Sequence, residues 1–170
     1  MAKIYTKTGD SGETDLLSGE RVSKGSALVE VIGVMDECNA ALGMARSVCP
    51  NSEYASFLET IQKKLFVAGV DVMNAQQKEG FEKIEMADVL TLELWIDQLD
   101  APLPPLKAFV LPGGSSFSAY LHFSRTVVRK VERRLVALDV PVSSVLCIYF
   151  NRLSDFLFVW ARHAQWLDGE

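Results

Sequence analysis

The chain has 170 residues, 49% of them apolar and 23% charged, which is one domain able to bury a core and too apolar to stay disordered. Lys plus Arg number 17 and Asp plus Glu 22, so the net charge is −5, which excludes the basic footprint of a general nucleic-acid binder. No apolar run approaches the ~20 residues of a membrane span, and Met1-Ala2-Lys3-Ile4-Tyr5 is not the start of a signal peptide, so a cytoplasmic protein with no membrane contact is expected. Cys38, Cys49 and Cys147 are odd in number and scattered, and read as reduced, buried small side chains rather than a disulfide or zinc site.

Residues 1–25 carry Gly9, Gly12, Gly19 and Gly25 among many Thr and Ser, with no helical period. They predict an orderable loop with a short strand at 3–7. From Ser26, as N-cap, a 3–4 period begins with Leu28, Val31, Met35, Leu42 and Ala45, and Pro50 marks its end. A second helix is predicted over 54–74, with Phe57, Leu58, Ile61, Leu65, Ala68 and Val72 on one side. Residues 75–85 read as a loop. A third helix follows over 86–99, until Pro102, Pro104 and Pro105 break the chain. The apolar segment Phe109-Val110-Leu111 ends in the turn Pro112-Gly113-Gly114. A fourth helix runs from Ser115 or Ser116 to 138, and a fifth from Val142 or Ser143 to 167. The fold class is therefore all-α: a single domain over 1–170, with a glycine-containing loop at 1–25 and a helical bundle over 26–168. Phe156 and Trp160 are expected to face outward and to be available for oligomer contacts.

Charge is concentrated on the fourth helix, where Arg125, Arg129, Lys130, Arg133 and Arg134 stand against Glu132 alone within 121–134. An acidic chain with one dense basic patch points to a small anionic ligand rather than a polymer. At ~100° per residue, Arg125, Arg129, Arg133 and Glu132 share one face, while Lys130 and Arg134 point elsewhere. Like-charge i,i+4 pairs destabilise a helix by a few tenths of a kcal/mol, and become favourable when a phosphate or carboxylate sits between them. By position alone the face reads as a solvated basic surface or as an anion cradle. On the fifth helix Asn151, Asp155, Phe158 and Arg162 share a strip, which reads as an inter-helix polar network or as part of a site. The loop Thr6-Lys7-Thr8-Gly9-Asp10-Ser11-Gly12-Glu13-Thr14 can aim N–H groups and hydroxyls at phosphate oxygens, but a plain turn would look similar. It is neither a Walker A loop nor a dinucleotide fingerprint. His122 and His163 form no metal or triad pattern and read as structural.

In their order, these blocks resemble the PduO-type ATP:cob(I)alamin adenosyltransferases: the 3–14 segment, Gly19-Glu20-Arg21-Val22-Ser23-Lys24, Met35-Asp36-Glu37-Cys38-Asn39, Phe109 to Gly114, Ser124 to Arg134, and Asn151 to Asp155. The resemblance implies a five-helix bundle assembled as a homotrimer, with ATP between subunits. It implies transfer of the 5′-deoxyadenosyl group from ATP to the cobalt of cob(I)alamin, giving adenosylcobalamin and triphosphate. By similarity, Thr6, Lys7, Thr8, Gly9, Asp10, Ser11, Gly12, Glu13 and Thr14 wrap the triphosphate and Lys24 adds a charge. Arg129, Glu132, Arg133 and Asn151 hold the rest of the nucleotide, and magnesium is held mainly by ATP. Asp36, Phe109 and Arg125 match the catalytic corrinoid side, where Asp36 pairs with Arg125 and Phe109 closes the lower face of the corrin. Further implied partners are a reductase and an adenosylcobalamin-dependent enzyme. Asp15, Gly25 and Leu28 depart from the family's usual residues, and Asp15 puts an added carboxylate near the triphosphate. The competing readings are a non-catalytic corrinoid carrier and an ATP-sensing interaction protein.

Overall fold

The computed structural model describes residues 4–74 and 80–169. Five helices make the body: α1 (Ala27–Ser47), α2 (Ser52–Met73), α3 (Met86–Asp100), α4 (Ser116–Val136) and α5 (Ser144–Leu167). Ahead of them stands a two-stranded antiparallel hairpin, β1 (Glu13–Asp15) with β2 (Arg21–Ser23), in which Thr14 lies opposite Val22. The strand expected at 3–7 is not there: described residues 4–7 are irregular, and the pairing falls later in the loop. Of the loop expected at 75–85, residues 75–79 lie outside the described residues, and 80–85 form neither helix nor strand.

Side chains start most of the helices. Ser26 accepts a bond from the Val29 N–H, Asn51 from Glu53, and Ser115 from Ser118, each satisfying an N–H that the first turn leaves free. Glu85 and Asp88 form a reciprocal box at α3.

Cross-bonds fix the helix directions. Glu37 and Glu30 of α1 meet Lys130 and Arg134 of α4, so these two run antiparallel. Asn151 and Ala161 of α5 meet Glu132 and Ser118 of α4, again antiparallel, whereas Glu93 and Asp100 of α3 meet Arg152 and Arg162 of α5, so α3 and α5 run parallel. Arg46 and Asn39 of α1 meet Glu59 and Gln62 of α2, so this pair is antiparallel. The bundle alternates in direction through all five helices.

α5 is the core helix. By length and composition it could cross a membrane, contrary to the expectation that no such run exists. Its Leu146, Phe150, Leu153, Leu157 and Trp160 are instead buried inside the bundle. Phe156 and Trp160 also correct the expectation that they face outward: both are fully buried. They join Tyr54, Phe57, Trp95 and Phe117 in an aromatic cluster, with Phe57 stacked on Trp95 at 4.4 Å. Cys38 is buried as expected, and burial pushes its thiol up to about 12; Cys49 and Cys147 are only half-buried.

Candidate active site

The glycine loop is exposed and tied down at a few points. Gly12, at φ 86°, and Gly19, at φ 83°, occupy the left-handed region that glycine enters without penalty, and Lys7 occupies it at φ 63°. The Lys24 N–H bonds the Gly12 carbonyl at 2.9 Å. The Lys24 ammonium lies over the turn, so close to Gly9 that a Cβ there would sit 2.9 Å from it. Lys24 and the Gly9 backbone are thus brought together, as one cationic concavity needs. The Arg21 guanidinium reaches three acceptors: the Thr8 carbonyl at 2.9 Å, Asp15 at 3.1 Å and Glu13 at 3.3 Å.

On α4 the basic residues divide as the helical wheel divides them. Lys130 and Arg134 pair with Glu37 and Glu30 of α1. Arg125, Arg129 and Arg133 have no carboxylate partner among the described residues; Arg129 and Arg133 are exposed, and Arg125 is half-buried. Eight residues at ~1.5 Å each place Arg125 about 12 Å from Arg133, a row comparable with an extended polyphosphate. Glu132 turns to α5 and accepts a bond from the Asn151 amide at 3.0 Å. Burial, and then Glu132, push the Cys147 thiol up one turn above Asn151. Among the described residues, no group of three or more His, Cys, Asp and Glu side chains is arranged to hold a metal ion.

The rest of the fifth-helix strip disperses. Asp155 is held by Arg152, and Arg162 bonds Asp100 and the Pro104 carbonyl. Phe158 takes the Arg125 guanidinium over its ring at 5.9 Å and the His122 ring at 6.2 Å. His122 is buried with neither ring nitrogen bonded, and Arg125 Nε is likewise buried and unpartnered among the described residues. Burial, and then Arg125, lower the His122 pKa. His163, also buried, bonds Tyr54 and the Leu99 carbonyl.

The residues matched to a corrinoid side are not all together within one chain. Asp36 is exposed on α1, beside an apolar groove of about 450 Å³ that includes Ile32, Phe66 and Met73, and it makes no ion pair with Arg125. Phe109 is fully exposed on the segment leading into α4, near exposed Leu106 and Leu111. No hydrogen bond or ion pair joins the 6–14 loop to α4 or α5 among the described residues. Two groups escaped the sequence reading. Phe158 was visible as part of a strip but not as the seat of Arg125. Arg21 was visible in the spacing of Glu13, Asp15 and Arg21, which a tight hairpin makes neighbours.

Comparison with known proteins agrees over nearly the whole chain. The family model for cobalamin adenosyltransferase matches residues 4–164. The corrinoid adenosyltransferase PduO of Citrobacter freundii is 42% identical over 163 residues, covering 94% of this chain; the chain spans only 49% of that longer relative. The corrinoid adenosyltransferase of Mycobacterium bovis is 41% identical over 173 residues, covering 97% of this chain and 90% of its own length. Among solved structures, a phenylalanine-to-histidine variant of the PduO-type ATP:corrinoid adenosyltransferase from Lactobacillus reuteri, complexed with cobalamin and ATP, superposes with a TM-score of 0.91. It is 35% identical, covering 98% of this chain and 93% of that one. The five-helix architecture, the ordered motifs and these matches agree, and the chain belongs to the cobalamin adenosyltransferase family.

Proposed function

We propose that the protein transfers the 5′-deoxyadenosyl group of ATP to the cobalt of cob(I)alamin. The cobalt electron pair forms the bond to C5′, and the C5′–O bond breaks with its electrons passing to triphosphate. The observation that carries the reading is the row of Arg125, Arg129 and Arg133, left without carboxylate partners while Lys130 and Arg134 on the same helix are paired. Such a row is favourable only with an anion against it.

Cob(I)alamin is itself a strong nucleophile, so the protein need only align C5′ with cobalt and stabilise the departing triphosphate. Arg129, Arg133, Lys24 and the Gly9–Gly12 backbone supply charge and N–H donors to that leaving group. Magnesium would be held mainly by the nucleotide, and Glu132, positioned by Asn151, would offer it a carboxylate oxygen and so help neutralise the triphosphate charge. Phe109 offers an apolar wall that keeps water from the lower face of cobalt, easing reduction of cob(II)alamin.

The working unit is a homotrimer. Its sites join the loop of one subunit to α4 and α5 of the next, and Asp36 meets Arg125 across that interface. This assignment gives each separated half a partner. The electron for cob(II)alamin comes from a reductase, the product passes to an adenosylcobalamin-dependent enzyme, and reduced thiols with ATP suit a cytoplasmic setting. With ATP, magnesium and chemically reduced cobalamin, the spectrum should become that of adenosylcobalamin as triphosphate is released. Corrinoid binding without turnover would make the protein a carrier, and absence of corrinoid binding an ATP sensor; either result sinks the transferase reading.

A further inference from the structure

We propose that Arg21 is a positioning residue that holds the nucleotide loop in its binding shape before ATP arrives, with Asp15 as its anchor. The inference rests on the reading of residues 6–14 as the triphosphate loop. Arg21 projects from β2 and donates from three nitrogens: Nε to Glu13, Nη1 to Asp15 and Nη2 to the Thr8 carbonyl. Asp15 is its direct cross-strand partner in the hairpin register. The third bond crosses 13 residues of chain to grip the peptide just before Gly9.

That peptide needs a grip. Lys7, next to Thr8, is held at φ 63°, a region that a non-glycine residue keeps only where its surroundings fix it. The bonds around it are few and local: the Thr6 and Thr8 hydroxyls meet at 2.8 Å across it, while Asp10 N–H to the Lys7 carbonyl and Thr8 N–H to Thr6 Oγ1 are both 3.4 Å. Arg21 to Thr8, at 2.9 Å, ties the start of this turn to the hairpin, as the Lys24 N–H to Gly12 carbonyl bond, also 2.9 Å, ties its end. A planar guanidinium can hold two carboxylates and a carbonyl together, which an ammonium on a flexible stem cannot do in one geometry. A loop already shaped loses less conformational freedom when ligand binds, so affinity rises without a new contact to the ligand.

The arrangement also reverses the expected sign at Asp15. A carboxylate near a triphosphate should weaken binding by repulsion. Here the carboxylate is taken up by Arg21, and its removal loosens the clamp instead.

The test is a double-variant cycle read in two ways: ATP affinity by calorimetry, and amide exchange of residues 8–12 without nucleotide. Arg21→Ala and Arg21→Lys should both speed exchange and weaken ATP binding by roughly 3- to 30-fold, with melting temperature little changed, because only an exposed loop is released. Asp15→Ser alone should weaken ATP binding about 2- to 5-fold, and in the Arg21→Ala background it should strengthen binding, since the bare carboxylate then only repels. Rescue of affinity by Arg21→Lys would show that charge alone matters and overturn the clamp, as would tighter binding in Asp15→Ser alone. Unchanged exchange in Arg21→Ala would overturn it too. Faster exchange with unchanged ATP affinity would show that the clamped loop is not tuned for ATP; if Lys24→Ala and Arg129→Ala were then also silent, the nucleotide reading itself would fall.

Discussion

Phe109 shows how one residue's surroundings decide between two roles. From sequence, a phenylalanine before a Pro-Gly-Gly turn is either a core anchor or a wall for a ligand. A core Phe→Ala substitution costs about 3–5 kcal/mol through the cavity it leaves. Phe109 is 107% exposed, so no cavity forms and no packing is lost. With Leu111 at 85% exposure close by, the segment presents apolar surface that water hydrates poorly and a corrinoid face would cover. Phe109→Ala should therefore leave melting temperature and ATP affinity nearly unchanged. Turnover should fall most when cob(II)alamin must be reduced on the protein, and less when cob(I)alamin is supplied. Melting curves, ATP titration and both rates on one preparation check this. Equal losses in the two assays, or a large drop in melting temperature, would remove Phe109 from the proposed role.

At the scale of elements, the contact between α4 and α5 buries His122 with both ring nitrogens unbonded, facing Phe158 and the Arg125 cation. Desolvation, with Arg125 second, depresses its folded pKa, and burial does the same to His163. An imidazole depressed in the fold takes up protons more readily when unfolded, so its stability contribution is full above about 6.5 and lost as pH falls below that value. His122→Leu removes one of the two titrations and two unbonded polar atoms. Its melting temperature should drop less than the parent's between about pH 7.5 and about pH 5.5, with His163 sustaining part of the drop. An identical drop in both proteins would show that His122 titrates normally. The same helices show what was legible in the sequence. Periodicity, Ser26, Ser115 and the proline breaks gave the five helices because these signals are local. The wheel separated Arg125, Arg129 and Arg133 from Lys130 and Arg134 because one helix face is a local property too. The hairpin went unread because strands of three residues carry no alternation to detect. Phe156 and Trp160 were misplaced although the wheel separates them from the polar strip: at ~100° per residue they fall at roughly 140° and 180° from Asn151, opposite the exposed Ser144, Ile148, Asn151 and Asp155. The separation of Asp36 from Arg125 within the chain depends on how α1 and α4 pack, which a pattern along one helix does not record.

At the scale of the whole molecule, the site's two halves raise the question of which copy supplies each. The hairpin leads into α1, and its Leu16 and Leu17 line a cavity of about 360 Å³ with Leu28, Val140 and Pro141 at the same end of the bundle as Arg134. Nothing bonds the 6–14 loop to the arginine row within the chain among the described residues. In a closed ring of three, each interface is heterologous, with the loop of one subunit facing α4 of the next. Two lesions then become informative. Lys24→Ala damages only the loop half, and Arg129→Ala only the helix half; both residues are exposed and pair with no carboxylate among the described residues, so each variant should fold and assemble. Either variant alone should sediment as a trimer of the 18.8 kDa chain and be strongly impaired. When the two are co-expressed and mix at random, an interface is intact if its loop comes from the helix variant and its helix from the loop variant. That combination occurs at about a quarter of interfaces, so about a quarter of parental activity should return. If each site were contained in one chain, every site would keep a lesion and mixing would restore nothing. Recovery measured against the two separate variants, with sedimentation confirming mixed trimers, distinguishes these cases. No recovery from mixed trimers would place both halves in one subunit, and a mass near that of one chain would reject the ring itself.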